Sequence, residues 1–384
     1  MMKLTEMTRI SRRRFVQGGA VAVAAAAATG EVLVQGAVPA STHGAQAMED
    51  ALHLLAETGP EYHGGLANHG PMAAEALVTL ERFDAVVPWV TRYRKRLDAH
   101  PSGSRPIRED WREALGVHGR VADWSAFFQR EVEGQPWKAV LATWVPRLSP
   151  GMIAAAFHGV IRAAHAARSL AAGETPARRR ELGEGLAYWA ANYHPLPEAR
   201  SGARAGRLPS GALGAVPGVP AADQVTRGNI TDRLLPVERF APFAGAADLA
   251  DTSGDASAFL SDLTETFAGV FLASVPPGSL ITFVHGVTGP SAVRLLLPYL
   301  DPAARAAALR YAWQGAAALY SGFSGKAPSA LSGDLPKRDD LIDRAIATGD
   351  EHAIKLTEAC LREHAVNPKP VYLAAALHGV RLLG

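Results

Sequence analysis

The run Asp301-Pro302-Ala303-Ala304-Arg305-Ala306-Ala307-Ala308-Leu309-Arg310-Tyr311-Ala312-Trp313-Gln314-Gly315-Ala316-Ala317-Ala318-Leu319-Tyr320 decides the fold class. Alanine gives up no side-chain freedom in a helix, and the larger apolar residues recur three and four apart. Asp301 suits a helix cap and Pro302 the first helical position, so the spacing predicts a helix over 302–320.

The same pattern extends in both directions. It predicts helices over 338–347, 350–365 and 369–382 downstream. Upstream it predicts 279–287 and 291–300, divided by Gly289-Pro290, and 255–273, closed by Pro276-Pro277-Gly278. Further back, 137–145 and 151–171 read as helices separated near Pro146 and Pro150, and Pro71 enters a helix through Leu77. Asp110 followed by Glu113 reads as a capping pair. β-branched alternation is scarce, so the expected class is all-α, one compact multi-helix domain over residues 48–384. Residues 195–247, rich in Gly, Pro, Ala and Arg, read as a long Gly/Pro-rich excursion, lid or linker.

The first 47 residues read as an export segment. Arg12-Arg13 with Phe15, a weakly apolar run over 18–29 and the small triplet Ala45-Gln46-Ala47 follow the order of a twin-arginine signal peptide. The expected partner is the twin-arginine machinery, and the expected location is periplasmic or extracellular. No stable membrane insertion is expected after cleavage. The whole chain of 384 residues carries 39 basic and 37 acidic residues, for +2. Removing Lys3, Arg9, Arg12, Arg13, Arg14, Glu6 and Glu31 turns this to −1. That balance argues against a nucleic-acid partner. The single cysteine rules out an intrachain disulfide and a cysteine-rich metal site. No glycine-rich nucleotide fingerprint is present.

Histidine carries the chemistry. There are 13, several in apolar surroundings where a polar ring needs a partner. His-Gly-Val occurs at His158, His285 and His378, and a glycine beside histidine permits close helix approach. His158 and His165 lie seven apart, near one helix face. His352 and Lys355 share a face three apart, and Lys355 sits between Ile354 and Leu356 in a segment that reads as buried. Such a lysine loses its charge, finds an anion, or snorkels toward Glu351 or Glu358.

Asn68-His69-Gly70-Pro71-Met72, Val121-Ala122-Asp123-Trp124, Phe157-His158-Gly159-Val160, His285-Gly286-Val287-Thr288, Leu296-Leu297-Pro298-Tyr299 and Asp350-Glu351-His352-Ala353-Ile354-Lys355 together resemble the questin oxidase-like family. These segments span the chain beyond the export segment. The resemblance implies a helical oxygenase related to fungal anthraquinone ring-opening enzymes. It implies non-haem Fe(II) held by His69, His158, His285 and His352 with a carboxylated Lys355, His165 and His378 being alternative ligands. Dioxygen and a phenolic or quinone polycyclic substrate are the expected partners. Arg162, His165 and Tyr62 are the candidate catalytic residues. Arg162 would stabilise a phenolate or pair with an acid elsewhere, and Tyr62 and Tyr299 would donate to a quinone oxygen. Trp89, Trp124, Trp137, Trp144, Trp189 and Trp313 are candidates for an aromatic wall or for core packing. The alternatives are an NADPH-dependent Baeyer–Villiger-type monooxygenase without iron, a zinc-type hydrolase and a non-enzymatic helical binding protein.

Overall fold

Ser41 accepts a hydrogen bond from the Gly44 amide and opens α1 (Thr42–Leu55). The computed structural model describes residues 41–103, 105–199, 206–274, 280–330 and 333–384. Residues 1–40 of the expected export segment and the Pro276–Gly278 break lie outside the described residues. α1 begins inside the stretch assigned to export and buries Ala47 and Met48 against the domain.

A short antiparallel hairpin follows α1, β1 (Glu61–Tyr62) paired with β2 (Leu66–Ala67), a small departure from an all-helical chain. The chain then runs through α2 (Gly70–Thr79), α3 (Phe83–Tyr93), α4 (Trp111–Ala114), α5 (Val121–Gly134), α6 (Trp137–Leu148), α7 (His158–Ala172) and α8 (Pro176–Ala191). Its second half holds α9 (Pro209–Ala212), α10 (Ile230–Arg239), α11 (Ala256–Ala273), α12 (Leu280–Leu296), α13 (Pro302–Gly322), α14 (Arg338–Thr348), α15 (Glu351–Val366) and α16 (Pro370–Leu383). The caps are local chemistry. Thr175, Asn229, Asp255, Asp301 and Asp350 each accept from amides in the first turn of α8, α10, α11, α13 and α15.

Four helices form the closed group that matters for function. α2 packs on α7 and α15, and α12 packs on α7 and α15, so the four enclose one interior. Outer helices cover them: α8 on α7, α11 and α13 on α12, and α16 on α15. The apolar run Leu280–Tyr299, long enough to cross a membrane, lies largely buried in this bundle.

Several boundaries differ from the sequence reading. α12 passes through Gly289-Pro290 without a break, and α6 includes Pro146. Proline removes one backbone bond, but tertiary contact outweighs that loss in a helix packed against several others. α8 was unmarked by the apolar pattern, because it is buried on several sides and lacks a clear polar face. The Asp110 side chain makes no capping bond to α4. The 195–247 excursion is corrected in part. It contains α9, α10 and short 3-10 turns, and it is tied to α13 by Val219 N–H to the Ser321 carbonyl and Trp313 Nε1–H to the Ala246 carbonyl.

All three His-Gly-Val glycines sit at close approaches. A Cβ on Gly159 would lie 2.6 Å from Trp189 Cα, one on Gly286 2.9 Å from Phe267 Cδ1, and one on Gly379 2.6 Å from Leu356 Cδ2. Only the first meets backbone, which cannot rotate away. Gly159→Ala is therefore expected to push α7 from α8 and lower stability by about 1–3 kcal/mol in urea unfolding. The same change at Gly379, which meets a flexible leucine tip, is expected to have a smaller effect.

Candidate metal centre

Each helix of the enclosing group brings one imidazole to a common point. His69 is the N-cap of α2, His158 the first residue of α7, and His352 the second residue of α15. His285 lies in the second turn of α12. His158 Nε2 is 2.8 Å from His69 Nε2 and 3.0 Å from His285 Nε2. The His69 and His352 rings are 4.6 Å apart between centroids, and those of His285 and His352 5.6 Å. The structure thus brings together all four histidines named from the motifs.

The tautomers follow from the partners. His158 Nδ1 faces the Ala155 carbonyl, and His285 Nδ1 lies 2.8 Å from the Ile281 carbonyl. A carbonyl only accepts, so each neutral ring commits its single proton there. Both Nε2 atoms are then bare lone pairs facing each other. Burial, reinforced by Lys355, holds the His158 imidazole down at about 3. Burial also lowers His69 and His285 far below the usual range. The positive ends of α2, α7 and α15 converge here and oppose an imidazolium as well. A proton is a poor bridge in this setting, and a metal cation is a good one. Donors around an octahedral first-row ion at about 2.1 Å stand about 3.0 Å apart, which the Nε2 spacings match. The backbone carbonyls behind His158 and His285 are the usual support for a histidine ligand.

Lys355 lies one turn beyond His352, 2% exposed, and its Nζ has no hydrogen-bond partner. Burial pulls the amine down to about 8, so a neutral fraction is present near neutral pH. His69 Nδ1 is likewise buried without a partner. The donor set therefore leaves its polar atoms unsatisfied by protein alone, as expected of residues arranged around a ligand.

Glu351 was considered from sequence only as a partner for Lys355, yet it belongs to the cluster. One donor atom from each of His69, Glu351 and His352 lies within 4.8 Å of the others. Glu351 accepts from Arg96 at 2.9 Å and from the Tyr62 hydroxyl at 3.4 Å. This places Tyr62, the candidate hydroxyl donor, at the edge of the centre. Burial, with help from Glu351, raises its pKa and keeps it protonated. Tyr93 was also missed. Its hydroxyl accepts the His69 backbone N–H at 2.8 Å, and its ring stacks on Trp89. The only trace in sequence was the aromatic face of 83–93.

The backbone before His158 is unusual. Ala155, Ala156 and Phe157 have φ of 47°, 56° and 68°, a left-handed turn of three non-glycine residues. Each such residue costs about 1–2 kcal/mol. The turn carries the Ala155 carbonyl round to the His158 ring and moves the start of α7 seven residues past the expected 151.

Two candidate catalytic residues do other work. Arg162 makes a paired ion contact with Glu181, 2.6 and 2.8 Å, inside the α7–α8 interface, so it takes the acid-pairing alternative. His165 holds Glu75 at 2.6 Å in a second polar layer below the histidines. There Arg168 bridges Glu75 and Glu358. Burial would raise the Glu75 carboxyl, but Arg168 and His165 overcome it and hold it at about 2. His378 packs on Phe271, outside the four-histidine cluster. Trp124, Trp144, Trp189 and Trp313 are fully buried, and the indole N–H of Trp124, Trp189 and Trp313 is taken by a backbone carbonyl, so they are core. Tyr299 packs edge-on against Trp137.

His69, Glu351 and His352 form a cluster capable of coordinating a metal ion, coarse support for a metal-dependent enzyme. No model of a known protein family matches the sequence, and no curated protein matches it.

Proposed function

We propose that the chain is a non-haem iron-dependent oxygenase that uses dioxygen to cleave or oxidise a phenolic or quinone polycyclic substrate. The observation that carries the metal is the pair of Nε2 lone pairs of His158 and His285, 3.0 Å apart with no proton to share. The motif resemblance to questin oxidase-like enzymes supplies the reaction class. Export by the twin-arginine route belongs to the same proposal and rests on Arg12-Arg13 with Phe15.

In this reading His69, His158, His285 and His352 would hold the ion. The neutral fraction of Lys355 would add its amine nitrogen to carbon dioxide and release a proton to solvent, and the resulting carbamate would offer an oxygen donor and offset positive charge. Glu351 is a second oxygen donor within reach. Iron(II), once bound, would supply the one-electron chemistry that lets dioxygen react with an electron-rich ring. The converging helix ends favour a phenolate over a phenol. Tyr62 stays protonated and donates a hydrogen bond at the edge of the centre. His69, His158, His285 and Lys355 are buried, and the lower local dielectric strengthens these interactions.

Metal analysis of protein matured in vivo tests this. About one iron per chain is expected, falling with His352→Ala and with Lys355→Ala, together with dioxygen uptake on a panel of hydroquinones. Stoichiometric zinc with hydrolytic ring opening would overturn the oxygenase in favour of a hydrolase. Metal-free, NADPH-dependent turnover would favour the Baeyer–Villiger-type alternative. A metal-free protein indifferent to Lys355 substitution would point to a binding module.

A further inference from the structure

Phe157 is fully buried and stands immediately before His158, as the left-handed N-cap of α7. Its ring occupies a slot made by two glycines on different helices. A Cβ on Gly289 of α12 would meet Phe157 Cγ at 2.5 Å, and one on Gly315 of α13 would meet Cζ at 2.5 Å. Neither glycine has a positive φ, so the space, and not the backbone conformation, calls for glycine here. Gly289 lies four residues after His285, one turn along the same face of α12. The slot therefore grips the residue next to one imidazole with the helix that carries another.

We infer that Phe157, seated between Gly289 and Gly315, is a positioning residue that sets the spacing of His158 and His285 at the metal centre. The left-handed turn is the means. Three residues in an unfavourable conformation relax unless something over-determines them. The seated ring fixes the end of the turn. The turn in turn brings the Ala155 carbonyl to His158 Nδ1, which aims Nε2 at His285. Losing the seat frees the turn to unwind, and the two nitrogens separate. Phe157 offers no ligand atom, so its effect reaches the ion through His158, its neighbour in sequence, and through α12, which carries His285. This inference rests on the metal-centre reading above.

Cobalt(II) titration of the metal-free full chain tests it, because the ligand-field spectrum reports ligand geometry independently of turnover. Phe157→Leu keeps an apolar side chain without a clash, and is expected to weaken cobalt binding about tenfold and to alter the spectrum. Gly289→Ala is expected to weaken it further by evicting the ring. The double variant Gly289→Ala with Phe157→Leu is expected to bind more tightly than Gly289→Ala alone, since the smaller side chain makes room for the methyl. Phe128→Leu, in the core away from the slot, is expected to lower the melting temperature and leave the spectrum unchanged. If Gly289→Ala gives no folded protein, Phe157→Leu alone decides the matter. Folded Phe157→Leu protein with parental spectrum and affinity within twofold would overturn the positioning role and leave the metal centre standing. A parent chain that binds no cobalt would overturn the metal centre itself.

Discussion

His158→Ala protein is expected to hold less than a tenth of the parent's metal and to turn over about a thousandfold more slowly or worse. A thousandfold corresponds to about 4 kcal/mol in the barrier. The expectation follows from position. His158 is the ring whose Nε2 lies within 3.0 Å of both His69 and His285, so its loss removes the shared vertex of the cluster. Metal-free protein is expected to melt close to its parent, because the change also removes one of two opposed lone pairs. Metal analysis and calorimetry on the same sample separate the two effects. A folded His158→Ala protein with full metal content would remove His158 from the ligand set.

Arg168→Ala is expected to give the largest loss of stability, about 3–5 kcal/mol by denaturant unfolding. Arg168 is the cation between Glu75 and Glu358, both buried, and its removal leaves two carboxylates with weakened compensation. Replacing all three together with uncharged residues of similar size, Glu75→Gln, Arg168→Met and Glu358→Gln, is expected to recover much of the loss. The pH dependence has a definite sign. Glu75 is held at about 2, below its unfolded value, and Arg168 and Arg362 hold Glu358 lower still against the effect of burial. Their stabilisation is present above the unfolded carboxylate range and is lost as pH falls through the folded values. In Arg168→Ala protein Glu75 keeps His165 and the neutral Thr79 hydroxyl but no full cation against burial, and titrates higher. The acid limb of its stability curve is therefore expected to move to higher pH.

The helices were legible where alanine content, an aspartate cap and a following proline coincided, as at Asp301-Pro302. They were misread where a local rule met a crowded core. Pro290 reads as a break, but α12 is enclosed by neighbours that hold it through the lost bond. The left-handed turn before His158 has no glycine to announce it, and the slot between Gly289 and Gly315 that seats its last ring is formed only once α12 and α13 pack. The four histidines could be grouped through the motifs, whereas spacing alone set only His158 and His165 on one face. That pairing separates in function, one ring at the upper cluster and the other on Glu75. Arg162 and Glu181, 19 residues apart, find each other only after α7 and α8 pack, so no spacing rule marks the pair. Glu351 was hidden by a nearer explanation, since an acid beside a lysine is ordinarily its counter-charge.

The imidazoles that meet at one point come from distant parts of the chain, His158 standing 89 positions after His69 and His285 127 positions after His158. A bound ion would tie these stretches as a set of crosslinks, closing loops that the unfolded chain leaves open. It would select the native topology over any partly assembled one, because the four imidazoles come from four different helices and meet only when all four are docked. At a free metal concentration of a hundred times the dissociation constant, the stabilisation would be about 2.7 kcal/mol. Occupancy would then serve as a record of completed folding: a chain with any of the four helices undocked would be both inactive and unable to keep its ion.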